Sequence, residues 1–240
     1  LGRDERVFVL GQGVDDPSAM FGCTRGLKEK YGAERVFDTP VAEESMMGVS
    51  TGAAMNGMRP VYMHNRPDFI LLAMNQLLNH ASKMHYMDNG KTTVPLVVWA
   101  AVGRGWGSGA QHSQAIQGLL LGVPGLKIVM PSTPADAKGL LLSAIVDNNP
   151  VCVFEHRWLM KKDGVVPEGV YRVPLGKGIY RRRGGDITIA GASHAIELGM
   201  QAAALLAAEG IEAEIIDLRT IKPMDEAIIL ESLKNTGRIL

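Results

Sequence analysis

A carboxylate at the start of a predicted helix is the first candidate for chemistry in this sequence. Residues 38–48 are Asp-Thr-Pro-Val-Ala-Glu-Glu-Ser-Met-Met-Gly, and the first glutamate is Glu43. Thr39 suits a helix N-cap, and Pro40 suits the first helical position because its fixed φ is helical and its missing N–H would have no partner there. Glu43 would then lie in the first turn or just beyond it. Judged from the spacing alone, a favourable interaction with the helix dipole would be enough to explain an acid at this place.

The same predicted helix carries two glycines on one face. Gly48 and Gly52 are one turn apart, and glycine lowers helix propensity. Two glycines would be explained by another helix or a cofactor that approaches the backbone closely. The pattern therefore predicts an acid at the head of a helix that is built for close contact.

A histidine follows a glycine-rich loop farther along the chain. After an apolar run, glycine occupies every second position from Gly103 to Gly109. The segment Gln-His-Ser-Gln follows at 111–114. The spacing lacks the G-x-G-x-x-G pattern of a dinucleotide site. The loop would instead carry His112 to the carboxyl edge of a sheet, where α/β proteins bind ligands. A lone loop histidine is more often a surface residue, so the spacing alone does not assign a role.

Two other groupings do not support a site. Asn-Gly-Lys-Thr at 89–92 has His85 where a phosphate-binding loop requires glycine, which favours an ordinary turn. His80 and His85 are five residues apart on a predicted helix, about 140° around its circumference, so they could not hold one metal ion. We therefore expect no metal site in this chain.

Several multi-residue motifs resemble the beta subunits of thiamine-dependent 2-oxo acid dehydrogenases. The segment 38–48 is similar to their D-T-P-x-x-E segment, and similarity at matching spacing continues almost to the end of the chain. In that family, the acid that matches Glu43 hydrogen-bonds the aminopyrimidine ring of thiamine diphosphate. The further matching segments are 111–114, 124–132, 136–141, 217–223 and 236–238.

The resemblance also implies roles for three other residues. The family's active-site histidine falls on His112, and an aromatic residue that lines the pyrimidine pocket falls on Phe69. Without the family, an aromatic beside Ile70 would simply be core. Gln12 stands at a cofactor-binding position where the family usually has an acid, which puts a proton relay through that position in doubt. Ser45 stands where the family often has glycine.

The family divides its cofactor between two subunits, and this sequence fits the beta side. It has no G-D-G motif followed by paired asparagines, so it would hold only the pyrimidine end of thiamine diphosphate. The resemblance implies an alpha partner that holds the diphosphate and Mg²⁺, an alpha2beta2 assembly, and a lipoyl acyltransferase that receives the acyl group. Alternatives are a transketolase-like or deoxyxylulose-phosphate-synthase-like ketol transfer, and a non-catalytic assembly subunit.

Composition sets wide limits on the other classes of protein. The chain has 240 residues, 46% of them hydrophobic, and no net charge at pH 7. No overall field would attract it to nucleic acid or to an anionic membrane. Cys23 and Cys152 are its only cysteines, and no stretch approaches the ~20 apolar residues of a membrane span. We expect a cytoplasmic protein, or one of the mitochondrial matrix if a transit peptide was removed.

Near-continuous apolar runs alternate with helical patterns, which predicts a parallel α/β sheet with helices on both faces. We expect a pyrimidine-binding domain over 1–172 and a linker over 173–185. Over 186–240 we expect the first part of a second α/β domain, truncated in this sequence. Met46, Met47 and residues 64–68 could shape substrate choice, but the sequence alone assigns them no role. The predicted strands are 6–11, 35–37, 60–64, 94–102, 126–130, 151–155, 186–190, 213–217 and 238–240, and the predicted helices are 19–31, one beginning near Glu43, 68–87, 134–147, 192–209 and 223–235.

Overall fold

A computed structural model describes residues 1–18, 20–105 and 107–240. Ala19, in the predicted helix 19–31, and Trp106, in the glycine-rich loop, lie outside the described residues. The described chain forms two compact units. The first contains residues 1–127 and 144–157, and the second contains 128–143 and 158–240.

The first unit is built on parallel strands in the order β6-β4-β3-β1-β2. The strands are apolar over nearly their whole length, as expected for a sheet covered on both faces. In β4, every residue from Val97 to Val102 is buried. The bounds are β1 (Val7–Gly11), β2 (Val36–Phe37), β3 (Arg59–His64), β4 (Val97–Val102) and β6 (Val151–His156).

The helix that carries Glu43, α2 (Glu43–Met55), begins three residues later than predicted. Its N-cap is Ala42, so the prediction that Thr39 caps the helix and Pro40 opens it is wrong. Pro40 instead takes part in a tight turn, in which its carbonyl accepts a hydrogen bond from the amide of Ala42. Glu43 is therefore the first helical residue, still within the predicted first turn.

The predicted helix 19–31 is wrong over most of its length. Met20–Gly22 is a short 3-10 turn, and α1 covers only Leu27–Tyr31. Gly22 and Gly26 have φ of 82° and 75°, which a right-handed helix does not allow. The two glycines interrupt the helix that the apolar pattern indicated.

The segment predicted as one long helix is helical in three pieces. Pro67–Ala73 is a 3-10 helix, Asn75–Ala81 is a π-helix, and α3 covers Met84–Met87. Its buried residues Ile70, Ala73, Leu77 and Ala81 keep spacings of three and four, so the sequence pattern does not distinguish these forms from a regular α-helix. The remaining local elements of the unit are a 3-10 turn (Ala110–His112) and α4 (Gln117–Leu120).

The second unit contains a smaller three-stranded sheet in the order β7-β9-β8, with β7 antiparallel and β8 parallel to β9. Ile196 and Ala203 pack against Ala213 and Ile215 to form part of its core. The bounds are β7 (Ile179–Arg182), β8 (Ile187–Gly191), β9 (Ala213–Asp217), β10 (Thr220–Lys222), α6 (His194–Ala208) and α7 (Glu226–Thr236).

Two elements cross the boundary between the units in sequence, β5 (Lys127–Val129) and α5 (Pro134–Val146). Within the second unit, Val129 of β5 pairs antiparallel with Thr220 of β10. The predicted strand at 238–240 is present only as a single bridge between Thr188 and Ile239. The division into domains stays a prediction, with boundaries at 1–172, 173–185 and 186–240. The strand β7 lies inside the segment that was predicted as a linker.

Part of the basic run in that segment is held by ion pairs. Arg181 in β7 donates to the buried carboxylates of Asp217 and Asp136, and Arg219 donates to Asp136 at 3.2 Å. These charges are therefore integrated in the second unit.

The predicted fold class, a parallel α/β sheet with helices followed by a second α/β unit, is confirmed. Across the parts of the chain that the structure describes, we find no helix long and apolar enough to cross a membrane.

Gly125 should be irreplaceable for packing. Its φ is +77°, and an added Cβ would lie 1.9 Å from the carbonyl oxygen of Ser82. Gly125→Ala should lower the free energy of unfolding by about 2 kcal/mol or more, because neither the backbone angle nor the contact can be kept. Gly122→Ala is the matched control, since a Cβ there would meet no atom within 4 Å. Urea unfolding of both variants tests this, and equal stability would contradict it.

Candidate active site

A cavity of about 910 Å³ lies in the first unit at the carboxyl ends of β1 and β3. Its wall includes all four residues that the sequence predicts for catalysis or cofactor binding. The structure therefore brings Gln12, Glu43, Phe69 and His112 together. The other lining residues are Gly13, Asp16, Ser18, Phe21, Val41, Tyr62, Met63, His64, Asn65, Arg66 and Leu72.

Glu43 contributes a nearly buried carboxylate, 8% exposed, from the first position of α2. The helix dipole favours negative charge at this place. The side-chain amide of Gln12, which directly follows β1, donates to Glu43 Oε1 over a long 3.5 Å. One carboxylate oxygen thus has a weak neutral donor, and a carboxylate oxygen can accept a further hydrogen bond.

Phe69 and His112 touch each other across the cavity wall. Their ring centroids are 5.1 Å apart and the rings meet edge to face, a favourable aromatic geometry. The chain after His112 is anchored by Asp68, whose Oδ1 accepts a hydrogen bond of 3.2 Å from the amide of Gln114. The loop that carries His112 is therefore attached to the 3-10 helix that carries Phe69.

Tyr62 on β3 lines the same cavity as the Glu43 carboxylate. Its side chain is 2% exposed, and its ring centroid is 4.2 Å from that of His64. Burial raises the pKa of Tyr62, and the negative charge of Glu43 raises it further. The phenol therefore stays protonated and borders the acid as a neutral group.

His64, the last residue of β3, is a buried imidazole in the same wall. It is 4% exposed, and its Nε2 atom has no hydrogen-bond partner. Burial lowers the pKa of His64 to about 3. The ring is therefore neutral at physiological pH and presents an unsatisfied nitrogen, which is costly unless a ligand or water completes it.

Arg66 adds a positive charge to this wall. It is 9% exposed, its guanidinium carbon lies 4.9 Å from the ring centroid of Phe21, and its NH1 donates to the carbonyl of Asn65 at 2.7 Å. Burial lowers the pKa of Arg66, while the negative charge of Asp68 raises it.

A second buried arginine lies near Arg66. Arg157 directly follows β6 and is 1% exposed. Burial lowers the pKa of Arg157 to about 10, and the positive charge of Arg66 contributes to the decrease. The positive charges of Arg66 and Arg157 therefore repel each other in this part of the first unit.

The sequence analysis did not assign Tyr62, His64, Arg66 or Arg157 to the site. A usable signal was present, because His64 ends an apolar strand and Arg66 and Arg157 follow shortly after strands. Parallel strands bring their carboxyl ends to one edge. Tyr62 gave no such signal, since an aromatic within a strand is ordinary core.

The fold is that of an α/β protein of the transketolase type, with a cavity in its first unit. Comparison with protein families agrees. The transketolase pyrimidine-binding domain matches residues 1–162, and the transketolase C-terminal domain matches residues 176–240. Among solved structures, a split-gene transketolase described as an inactive beta4 tetramer superimposes with a TM-score of 0.80 over 99% of this chain and 72% of its own. Its sequence identity is 23%, which supports the fold alone.

Curated relatives define the family more closely. The 2-oxoisovalerate dehydrogenase subunit beta of Bacillus subtilis is 44% identical over 99% of this chain and 73% of its own length. The acetoin:2,6-dichlorophenolindophenol oxidoreductase subunit beta of Cupriavidus necator is 43% identical over the same shares. A mitochondrial pyruvate dehydrogenase E1 subunit beta of Dictyostelium discoideum is 41% identical over 100% and 68%. The chain belongs to the family of 2-oxo acid dehydrogenase E1 beta subunits, which confirms the predicted family and enzyme class.

His64 should make stability depend on pH. Its folded-state pKa of about 3 lies below the ordinary value of 6.5, so between pH 6.5 and 3 the unfolded chain binds a proton that the folded chain does not. The free energy of unfolding should therefore decrease as the pH falls through this window, by on the order of 2 kcal/mol at pH 5 from this residue.

Urea unfolding at pH 7 and pH 5 measures this decrease. His64→Phe should remove the His64 contribution, whereas replacement of the exposed His80 by alanine should leave it in place. An unchanged pH dependence in His64→Phe would show that His64 takes up its proton normally in the folded chain.

Proposed function

We propose that this chain is the beta subunit of a thiamine-diphosphate-dependent 2-oxo acid dehydrogenase that decarboxylates a 2-oxo acid oxidatively and passes the acyl group to a lipoyl carrier. The observation that carries the proposal is the single cavity that Glu43, Gln12, Phe69 and His112 share. Its wall combines a nearly buried acid, an aromatic ring and an imidazole. Membership in the E1 beta family supports the same reaction.

The residues present fit the pyrimidine end of the cofactor. A flat heteroaromatic ring needs an apolar surface and polar groups for its ring nitrogens, and the wall offers Phe69 together with the Glu43 carboxyl group. When bound, thiamine diphosphate supplies a nucleophilic thiazolium carbon and an electron sink for decarboxylation. In this proposal Phe69 would pack against the ring, and the Glu43 carboxyl group would exchange a proton with a ring nitrogen.

Gln12 limits the proton transfers in which Glu43 can take part. An amide donates a hydrogen bond to Glu43 Oε1 but does not titrate, so it orients the carboxyl group without relaying its proton. Tyr62 is likewise held protonated beside the acid by burial, which raises its pKa. The proton at this end of the cavity is thus assigned to Glu43 rather than to Gln12 or Tyr62.

His112 is assigned to the substrate side of the cavity. Its edge contact with Phe69 restrains the imidazole, and the Asp68–Gln114 hydrogen bond restrains its loop. Histidine is the commonest positioned acid–base group in enzymes. We assign it to proton exchange with the substrate carbonyl or during acyl transfer.

The proposed partners follow from what this chain lacks in sequence. It has no magnesium-diphosphate motif, and charged phosphates need donors or a metal to offset lost hydration. We therefore propose an alpha subunit that holds the diphosphate and Mg²⁺ in an alpha2beta2 assembly, and a lipoyl acyltransferase as acceptor. We place the complex in the cytoplasm or the mitochondrial matrix.

Glu43→Gln should nearly abolish cofactor activation in the assembled alpha–beta complex. The variant keeps the shape but loses the titratable proton, and positioned acid–base groups contribute typically ~10²–10⁴-fold in rate. The measurement is deuterium exchange of the thiazolium proton. Glu44→Gln is the matched control, because Glu44 is exposed and its Oε1 accepts a hydrogen bond of 3.0 Å from Gln76.

Equal exchange rates in the two variants, with assembly intact, would remove Glu43 from the mechanism. That result would favour the non-catalytic assembly subunit, for which the neutral Gln12 is the specific observation. Ketol transfer without decarboxylation by the wild-type complex would favour the transketolase-like alternative.

His112→Ala should leave folding and assembly intact and depress turnover of the reconstituted complex by about 10²–10⁴-fold, the usual range for a positioned acid–base group. His80→Ala serves as the control, because His80 is exposed and is not among the cavity-lining residues. Steady-state turnover and melting temperature are measured together. Normal turnover in His112→Ala would make His112 an ordinary loop residue.

A further inference from the structure

We propose that Asp68 is a positioning residue for His112, and that it acts on His112 through the backbone amide of Gln114. This inference rests on the proposed function and adds to its machinery a residue that the sequence motifs did not assign. Asp68 does not itself contact the substrate in this proposal. It holds the imidazole at the position from which His112 exchanges a proton with the substrate.

The segment before His112 gives the imidazole little support. Glycine occupies every second position from Gly103 to Gly109, and all four of these glycines have positive φ. Glycine loses more conformational freedom on folding than any other residue, so such a segment is costly to order. Contacts outside this segment are therefore needed to fix the position of His112.

The local hydrogen bonds around His112 are long. The amides of His112 and Ser113 donate to carbonyls three residues earlier over 3.5 and 3.4 Å, beyond the usual range of about 2.7–3.2 Å. Asp68 Oδ1 accepts from the amide of Gln114 at 3.2 Å, and an ionised acceptor makes a hydrogen bond roughly twice as strong. In the part of the chain that the structure describes, this is the shortest hydrogen bond to the backbone of residues 110–114.

The same aspartate contributes little to the stability of the fold. Its side chain is 6% exposed, and its Oδ2 atom has no hydrogen-bond partner among the described residues. Burial of a carboxylate is unfavourable, and the nearby positive charge of Arg66 offsets some of that cost. Gln114 is exposed, so water could satisfy its amide without Asp68. An apolar residue of similar volume would therefore serve the fold about as well, and the acid points to a role in positioning.

Phe69 holds the other side of the same turn. Its ring meets the imidazole of His112 edge to face, with the ring centroids 5.1 Å apart. Two consecutive residues of the 3-10 helix thus restrain the backbone after His112 and its side chain. The buried residues Ile70 and Ala73 fix this helix independently of Asp68, so loss of the carboxylate should leave Phe69 in place.

The test uses the assembled alpha–beta complex, with 2,6-dichlorophenolindophenol as electron acceptor and with pyruvate and 2-oxoisovalerate as probe substrates. Asp68→Ala should lower kcat about 10- to 100-fold, because a misplacement of about 1 Å can cost about 10²-fold in rate. Asp68→Asn keeps an acceptor oxygen for the amide of Gln114 and should restore most of the turnover. Deuterium exchange of the thiazolium proton should stay near the wild-type rate in both variants, because this proposal assigns that step to Glu43.

A double variant separates positioning from other roles. In the His112→Ala background, Asp68→Ala should cause little further loss of turnover, because Asp68 acts only through His112. Asp68→Leu removes the acceptor but nearly keeps the volume, and serves as a second variant if Asp68→Ala does not assemble. Asp88→Ala is the matched control. Asp88 Oδ1 also accepts a hydrogen bond from a backbone amide, that of Lys91 at 3.1 Å, and Asp88 is not among the cavity-lining residues.

Normal turnover in Asp68→Ala would overturn the inference. An equal decrease in thiazolium exchange, a full additional loss in the double variant, or failure of both Asp68→Ala and Asp68→Leu to assemble would also overturn it, because Asp68 would then have a general structural role. Normal turnover in His112→Ala would reject the role of His112, and this inference with it, but leave the dehydrogenase assignment standing. Failure of the wild-type complex to decarboxylate any 2-oxo acid would instead reject the proposed function.

Discussion

The site depends on the parallel pairing of β1, β3, β4 and β6. Their register places Gly11 beside Met63, His64 beside Ala100, and Val102 beside His156. Because all these strands run in one direction, the residues after each of them gather at one edge of the sheet. A slip of one residue in any pair would turn every side chain of that strand to the opposite face. The hydrogen bonds of the sheet thus determine which polar groups share a cavity.

Within that edge, the structure separates two chemical environments. Glu43 lies at a helix N-terminus beside neutral groups, the amide of Gln12 and the protonated phenol of Tyr62. The end of β3 instead presents a neutral imidazole and a guanidinium group. The two groups that the structure shows bordering Glu43 are thus uncharged.

The strands were predictable because their apolar runs are local signals that burial on both faces requires. The helix boundaries were less predictable. Ala42 rather than Thr39 is the N-cap of α2, because Pro40 takes part in a tight turn, and that turn depends on how the loop meets the sheet. In the site, the family motifs pointed to Glu43 and His112, and the structure places both in one cavity. The place of His64 at a strand end was a usable signal, but whether a polar residue there faces core, solvent or a ligand depends on neighbours that are distant in sequence.

The second unit takes residues 128–143 from the middle of the first, so neither unit is continuous along the chain. Val129 pairs with Thr220, about ninety positions away, and Asp136 is ion-paired with Arg181 and Arg219. Contacts of such long range must wait until most of the chain has been synthesised, so the second unit cannot complete its folding before residues near 220 are present. A protease cut or truncation near residue 157 would not release two independent modules, but would leave the first half of α5 without the segments that bury its charges.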